Sequence, residues 1–79
     1  MSVSYKKLWV LLAEKEMSKA DLRKMADIAP STMTKLNKNE LVALSILVKI
    51  CDKLNCDIGD IMEVIKTDKK TITVLKNEQ

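Results

Sequence analysis

Residues 18–39 constrain this chain more than any other stretch, because they read as two short helices separated by only three residues, Asp27-Ile28-Ala29. Ser18 is an N-cap residue, and Asp21 stands three positions on, where its carboxylate can reach back to the cap's own N–H. The helix that follows, over about Lys19–Ala26, has Leu22, Met25 and Ala26 as its apolar stripe, and Met17 precedes the cap in position to pack on Leu22. Asp27 tolerates the left-handed backbone that ends such a helix, and Ile28 is the inward residue of the turn. Pro30 suits a first helical position, where its missing N–H is no loss. It opens a helix over about Pro30–Asn37 with Met33 and Leu36 facing in. Two helices joined so tightly cross steeply, so the second must project one face away from the core. That face carries Ser31, Thr34, Lys35 and Lys38.

The flanking segments supply the core. A first helix is predicted over about Ser4–Lys15, capped by Ser4, with Tyr5, Leu8, Trp9, Leu11 and Leu12 on one arc and Val10 off it. A fourth, Leu44–Leu54, is apolar around more than half its circumference through Leu44, Leu47, Val48, Ile50, Cys51 and Leu54, which places it centrally. Asp57 is expected to cap a short fifth helix ending near Val64, with Ile58, Ile61, Met62 and Ile65 facing in. One glycine and one proline in 79 residues agree with an all-α chain. The expectation is therefore a compact five-helix bundle formed by residues 1–65, followed by a polar tail, 66–79. Within the tail, residues 71–75 begin with Thr71-Ile72-Thr73-Val74, whose alternation of β-branched residues is a strand signal. It reads either as a frayed end or as a strand that pairs with its equivalent in a second chain.

Composition removes several function classes. There is no histidine, so no His base, Ser-His pair or His-metal cluster can be built, and with one glycine no Gly-rich phosphate loop exists. Asp57, Asp60 and Glu63 share helical spacing but read as a cap and a solvated face. Cys51 and Cys56 read as reduced thiols serving as small hydrophobes, since a C-x4-C pair without histidine falls short of a four-ligand zinc site. An enzyme is not expected, nor a cofactor or a metal site. The longest apolar run, Leu8–Ala13, is far short of the ~18 residues of a membrane span. With no secretory signal evident either, the expected location is cytoplasmic. RNA binding is disfavoured because the two aromatics, Tyr5 and Trp9, sit on an apolar arc instead of an exposed stacking platform.

What remains is a polarised surface. Residues 1–39 hold eight Lys/Arg against four Asp/Glu, whereas residues 40–65 hold two against five. Such asymmetry can orient a protein on a polyanion although the net charge is only +3. Serine and threonine hydroxyls exchange hydrogen bonds with base edges, lysine donates to guanine or phosphate, and a helix N-terminus favours phosphate.

The run Ser18-Lys19-Ala20-Asp21-Leu22-Arg23-Lys24-Met25-Ala26-Asp27-Ile28-Ala29-Pro30-Ser31-Thr32-Met33-Thr34-Lys35-Leu36 resembles the helix-turn-helix of the Cro/CI-type (XRE-like) DNA-binding domains. Leu22, Ile28, Thr32, Met33 and Leu36 fall on that family's structural positions, and Leu44–Met62 is similar to its fourth and fifth helices, so the likeness spans about residues 4–65. Three residues depart from the pattern: Asp27 where the turn has Gly, Arg23 where a small Ala is common, and Ala29 where a Ser caps the recognition helix. A lost cap typically costs about 0.5–2 kcal/mol, so a later helix start assisted by Ser31 is expected. The resemblance implies a lambda-repressor-like fold and a residue-by-residue assignment. Lys19 would touch phosphate, and Pro30 and Ser31 would lie at the tip in the major groove. Thr34 and Lys35 would read base edges, while Thr32, Lys38 and Asn39 would hold the DNA backbone.

These readings lead to a transcriptional regulator, most simply a repressor, acting as a homodimer on a pseudo-palindromic operator in double-stranded DNA. No separate ligand-sensing domain is expected, so control is expected to come from concentration or from a regulatory protein partner. The alternative is a protein-interaction module on the same fold, an antirepressor or antitoxin component, using Val10 and the Ile72/Val74 tail.

Overall fold

A computed structural model describes residues 2–66. Their order is β1 (Ser2–Ser4), α1 (Lys6–Glu14), α2 (Lys19–Met25), α3 (Pro30–Asn37), α4 (Leu44–Leu54), a single 3-10 turn (Ile58–Asp60) and β2 (Glu63–Ile65). Among the described residues no helix is long and apolar enough to cross a membrane. The strand signal at 71–75 lies outside the described residues.

One core unites the helices. Leu8 and Leu12 of α1, Leu22 of α2, Leu36 of α3 and Leu47, Ile50 and Leu54 of α4 are buried together, with Tyr5, Ile28 and Ile61 closing the ends. Each such side chain contributes roughly 1.5–3 kcal/mol through burial. Tyr5 has a second task. Its hydroxyl donates to the Glu40 carbonyl at 2.8 Å, and its backbone N–H donates to Asn39 Oδ1 at 3.0 Å, so the start of α1 is bolted to the segment between α3 and α4. Burial pushes the Tyr5 phenol above its ordinary value, opposed in part by the Val42 backbone.

Local chemistry sets the helix boundaries. At α2 the Asp21 N–H donates to Ser18 Oγ at 3.0 Å and the Ser18 N–H donates to Asp21 Oδ2 at 2.9 Å, the reciprocal box expected from the sequence. Those Ser18 donors, backbone first, hold the Asp21 carboxyl below the usual carboxylate range.

All four helices terminate alike. Among the described residues, those in left-handed backbone are Glu16, Asp27, Asn39 and Asn55, with φ of 58°, 52°, 58° and 55°. In each case the next N–H reaches back across the turn: Met17 to Leu12 O at 2.9 Å, Ile28 to Arg23 O at 2.9 Å, Glu40 to Lys35 O at 2.9 Å and Cys56 to Cys51 O at 3.0 Å. This is the Schellman closure, usually built on glycine, and here it is built on none. A left-handed L-residue costs roughly 1–2 kcal/mol. Glu16→Gly is therefore expected to stabilise the domain by about 1 kcal/mol after the entropy of glycine is allowed for, raising Tm by roughly 4–8 °C. Thermal unfolding followed by circular dichroism checks this; an unchanged or lower Tm would contradict it.

The expected five-helix bundle needs correction. Among the described residues there are four α-helices, and the predicted fifth helix, Asp57 to about Val64, is a one-turn 3-10 segment followed by a strand. Asp57 does open the turn, its N–H donating to Asp60 Oδ2 at 2.9 Å, and Ile61 is buried as expected. Beyond Ile61 the chain straightens because Glu63–Ile65 pairs antiparallel with Ser2–Ser4, in the register Ser2–Ile65, Val3–Val64, Ser4–Glu63. Backbone pairing with the chain's beginning replaces helical hydrogen bonds, and Ile65, expected inside, is exposed. The same pairing shortens the first helix. Ser4 lies in β1, yet its hydroxyl still accepts the Lys6 N–H at 3.2 Å. Leu44 and Val48, read as core, are 66% and 52% exposed, because no described element packs over that side of α4.

Candidate nucleic-acid interface

Helix α3 begins at Pro30, directly after Ala29, with no side-chain cap. It does not start late as the missing cap suggested. Pro30 needs no N–H partner, and the Thr32 and Met33 N–H groups donate to Ala29 O at 3.0 and 3.1 Å. Met33 and Leu36 are buried, which fixes the rotation of the helix on the core. Its opposite side then presents Ser31, Thr34, Lys35 and Lys38 to solvent, at the i, i+3, i+4 and i+7 spacing of one helical face. Pro30 is exposed at the tip and Thr32 is half-buried at the flank.

The donors on this face are not equally free. Thr34 Oγ1 donates back to Pro30 O at 3.1 Å. Toward a base edge Thr34 is therefore an acceptor, suited to an adenine or cytosine amino group, with its methyl available to thymine. No hydrogen bond occupies the side chain of Ser31 or Lys35 among the described residues.

Lys19 and Asn39, expected on the DNA backbone, are both held by the protein. Lys19 Nζ donates to Asn37 Oδ1 at 2.7 Å and lies 4.1 Å from the centroid of the Trp9 ring. An exposed cation–π contact of this kind contributes roughly 0.5–1 kcal/mol. It fixes the ammonium beside the C-terminal end of α3 while leaving donors for a phosphate oxygen. Asn39 is exposed, but its Oδ1 is committed to the Tyr5 N–H, which leaves only its NH₂ to reach outward. Trp9, Asn37 and Tyr5 are the site residues the sequence reading missed. They meet Lys19 and Asn39 only through packing between segments 10 to 34 positions apart in the chain, and no local pattern announces them.

A family model described as the Cro/C1-type HTH DNA-binding domain matches residues 7–67. The chain belongs to that family. This Cro/C1-type domain is also similar to the chain in a crystal structure of the transcriptional regulator VanUg. The two share 48% identity and a TM-score of 0.81, over 84% of this chain and 88% of that one. None of the curated proteins compared with the chain matches it. The matched residues include α2 and α3, the two helices joined by Ala26–Ala29 that the sequence reads as a helix-turn-helix.

Proposed function

We propose that this Cro/C1-type domain binds double-stranded DNA sequence-specifically and regulates transcription, most simply as a repressor, as a homodimer on a pseudo-palindromic operator. The observation that carries the reading is the face of α3. Ser31, Thr34, Lys35 and Lys38 stand together in solvent on a helix whose other side is locked by Met33 and Leu36. The likeness to a transcriptional regulator supports the regulatory role.

In this reading the tip of α3, Pro30 and Ser31, enters the major groove first. Thr34 and Lys35 follow onto base edges, with Lys35 donating to guanine O6 or N7. Lys19, Thr32, Lys38 and Asn39 contact phosphates or sugars and fix register without reading sequence. One domain makes few such contacts, so two copies on half-sites about 34–36 Å apart supply affinity and specificity together.

Selection of bound fragments from a random duplex library, followed by titration of the winner at several salt concentrations, tests this. A half-site repeat spaced by about one DNA turn is expected. With Lys19 and Lys38 of two protomers on phosphates, the slope of log affinity against log salt should be about −4. Lys38→Ala should flatten it by about 2 units in the dimer and weaken all sequences alike. Enrichment of no sequence, or binding indifferent to salt, would overturn the assignment.

A further inference from the structure

Cys51 and Cys56 are brought together by the way α4 ends. They occupy the two positions whose side chains touch in a Schellman closure, three residues inside the helix end and the second residue beyond it. The Cys56 N–H donates to Cys51 O at 3.0 Å across the left-handed Asn55. The same closure commonly sets the side chains of these two positions against each other, the proximity that a disulfide requires. Both thiols are free, and both side chains line one groove at the helix end. In that groove, shared with Asp52, Asn55 and Asp57, Cys51 is buried and Cys56 is half-exposed, so Cys56 is the more accessible of the two.

We propose that Cys51 and Cys56 form a two-electron dithiol site that closes to an intramolecular disulfide by exchange with low-molecular-weight disulfides. The Cys56 thiolate, reached through the groove, attacks one sulfur of the small disulfide. That S–S bond breaks, a mixed disulfide forms at Cys56, and one small thiol leaves. Cys51, after loss of its proton to solvent, attacks Cys56 Sγ and expels the second small thiol. The dithiol loses two protons and two electrons, and the small disulfide becomes two thiols.

The order of attack follows from the surroundings. Burial, then the neighbouring Cys56 and the carboxylates Asp57 and Asp60, push the Cys51 thiol up to about 11. Cys51 is thus a poor opening nucleophile, and it reacts because the mixed disulfide is delivered against it.

The full chain, incubated with oxidised glutathione at graded ratios to reduced glutathione, gives the test by intact mass and thiol counting. The expected product has lost about 2 Da and carries no free thiol. Closure should be favoured about tenfold more in the folded chain than in urea, since the helix end positions the sulfurs, and Tm should rise accordingly. Cys51→Ser should stop at a stable glutathione adduct on Cys56, and Cys56→Ser should leave Cys51 unmodified. Should Cys51→Ser fail to fold, Cys51→Ala serves in its place. Retention of both thiols, adducts on both sulfurs without ring closure, or closure no more favourable in the folded chain than in urea would overturn the proposal. None of these readouts involves DNA, so the site stands or falls separately from the duplex-binding reading.

Discussion

Leu36→Ala should destabilise the domain by about 2–5 kcal/mol, the cost of deleting a fully buried leucine and leaving a cavity that relaxes only in part. Leu36 has no exposed surface and, with Met33, holds α3 on the core. At roughly 0.05–0.15 kcal/mol per residue, a domain of this size holds about 3–10 kcal/mol in all. The substitution therefore removes a large share of stability. Urea denaturation should show the midpoint falling steeply at unchanged slope, and duplex binding should vanish at temperatures where the variant no longer folds. A midpoint unaltered from the parent chain would mean that α3 is not anchored where the structure places it.

Its neighbour should behave in the opposite way. Lys35→Ala removes an exposed side chain with no intramolecular hydrogen bond among the described residues, so unfolding should move by less than about 0.5 kcal/mol. On the selected operator the loss should be about 1–3 kcal/mol, roughly a 5- to 150-fold weaker Kd, with the discrimination against one base position relaxed. The decisive measurement is the ratio of operator to scrambled-duplex affinity. A fall in both by the same factor would demote Lys35 to a phosphate contact, and no fall in either would remove it from the reading face. Adjacent residues with reversed phenotypes are what a recognition helix requires, since one side holds it and the other reads.

The contrast between Leu36 and Lys35 was visible before any coordinates. Met33 and Leu36 at i and i+3 define an inner side, and the polar residues between them define the outer one. The α2 boundary was equally legible, because Ser18 and Asp21 exchange their hydrogen bonds within four residues. Asp27 was recognisable as a left-handed stop. The segment after Asp57 was misread for a definite reason. Ile58, Ile61, Met62 and Ile65 repeat at a helical period, but a 3-10 turn uses the same i to i+3 spacing. What ends the helical course is Ser2–Ser4, some sixty residues away. Likewise the apolar arc of α4 overstated its burial, since a hydrophobic pattern tells which residues could be covered and not how much neighbouring chain exists to cover Leu44 and Val48.

By itself, the sequence determined four of the helical segments, the Ser18 cap, the Asp27 stop and the face that α3 turns outward, because caps, left-handed stops and apolar periodicity act between residues at most five apart. Tertiary structure alone decided the pairing of β1 with β2, the seat of Lys19 on Trp9 and Asn37, and the capture of Asn39 by Tyr5. Each of these depends on where distant segments come to rest once the core has closed, and a hydrogen bond or ring contact formed at that range leaves no periodic trace in the chain.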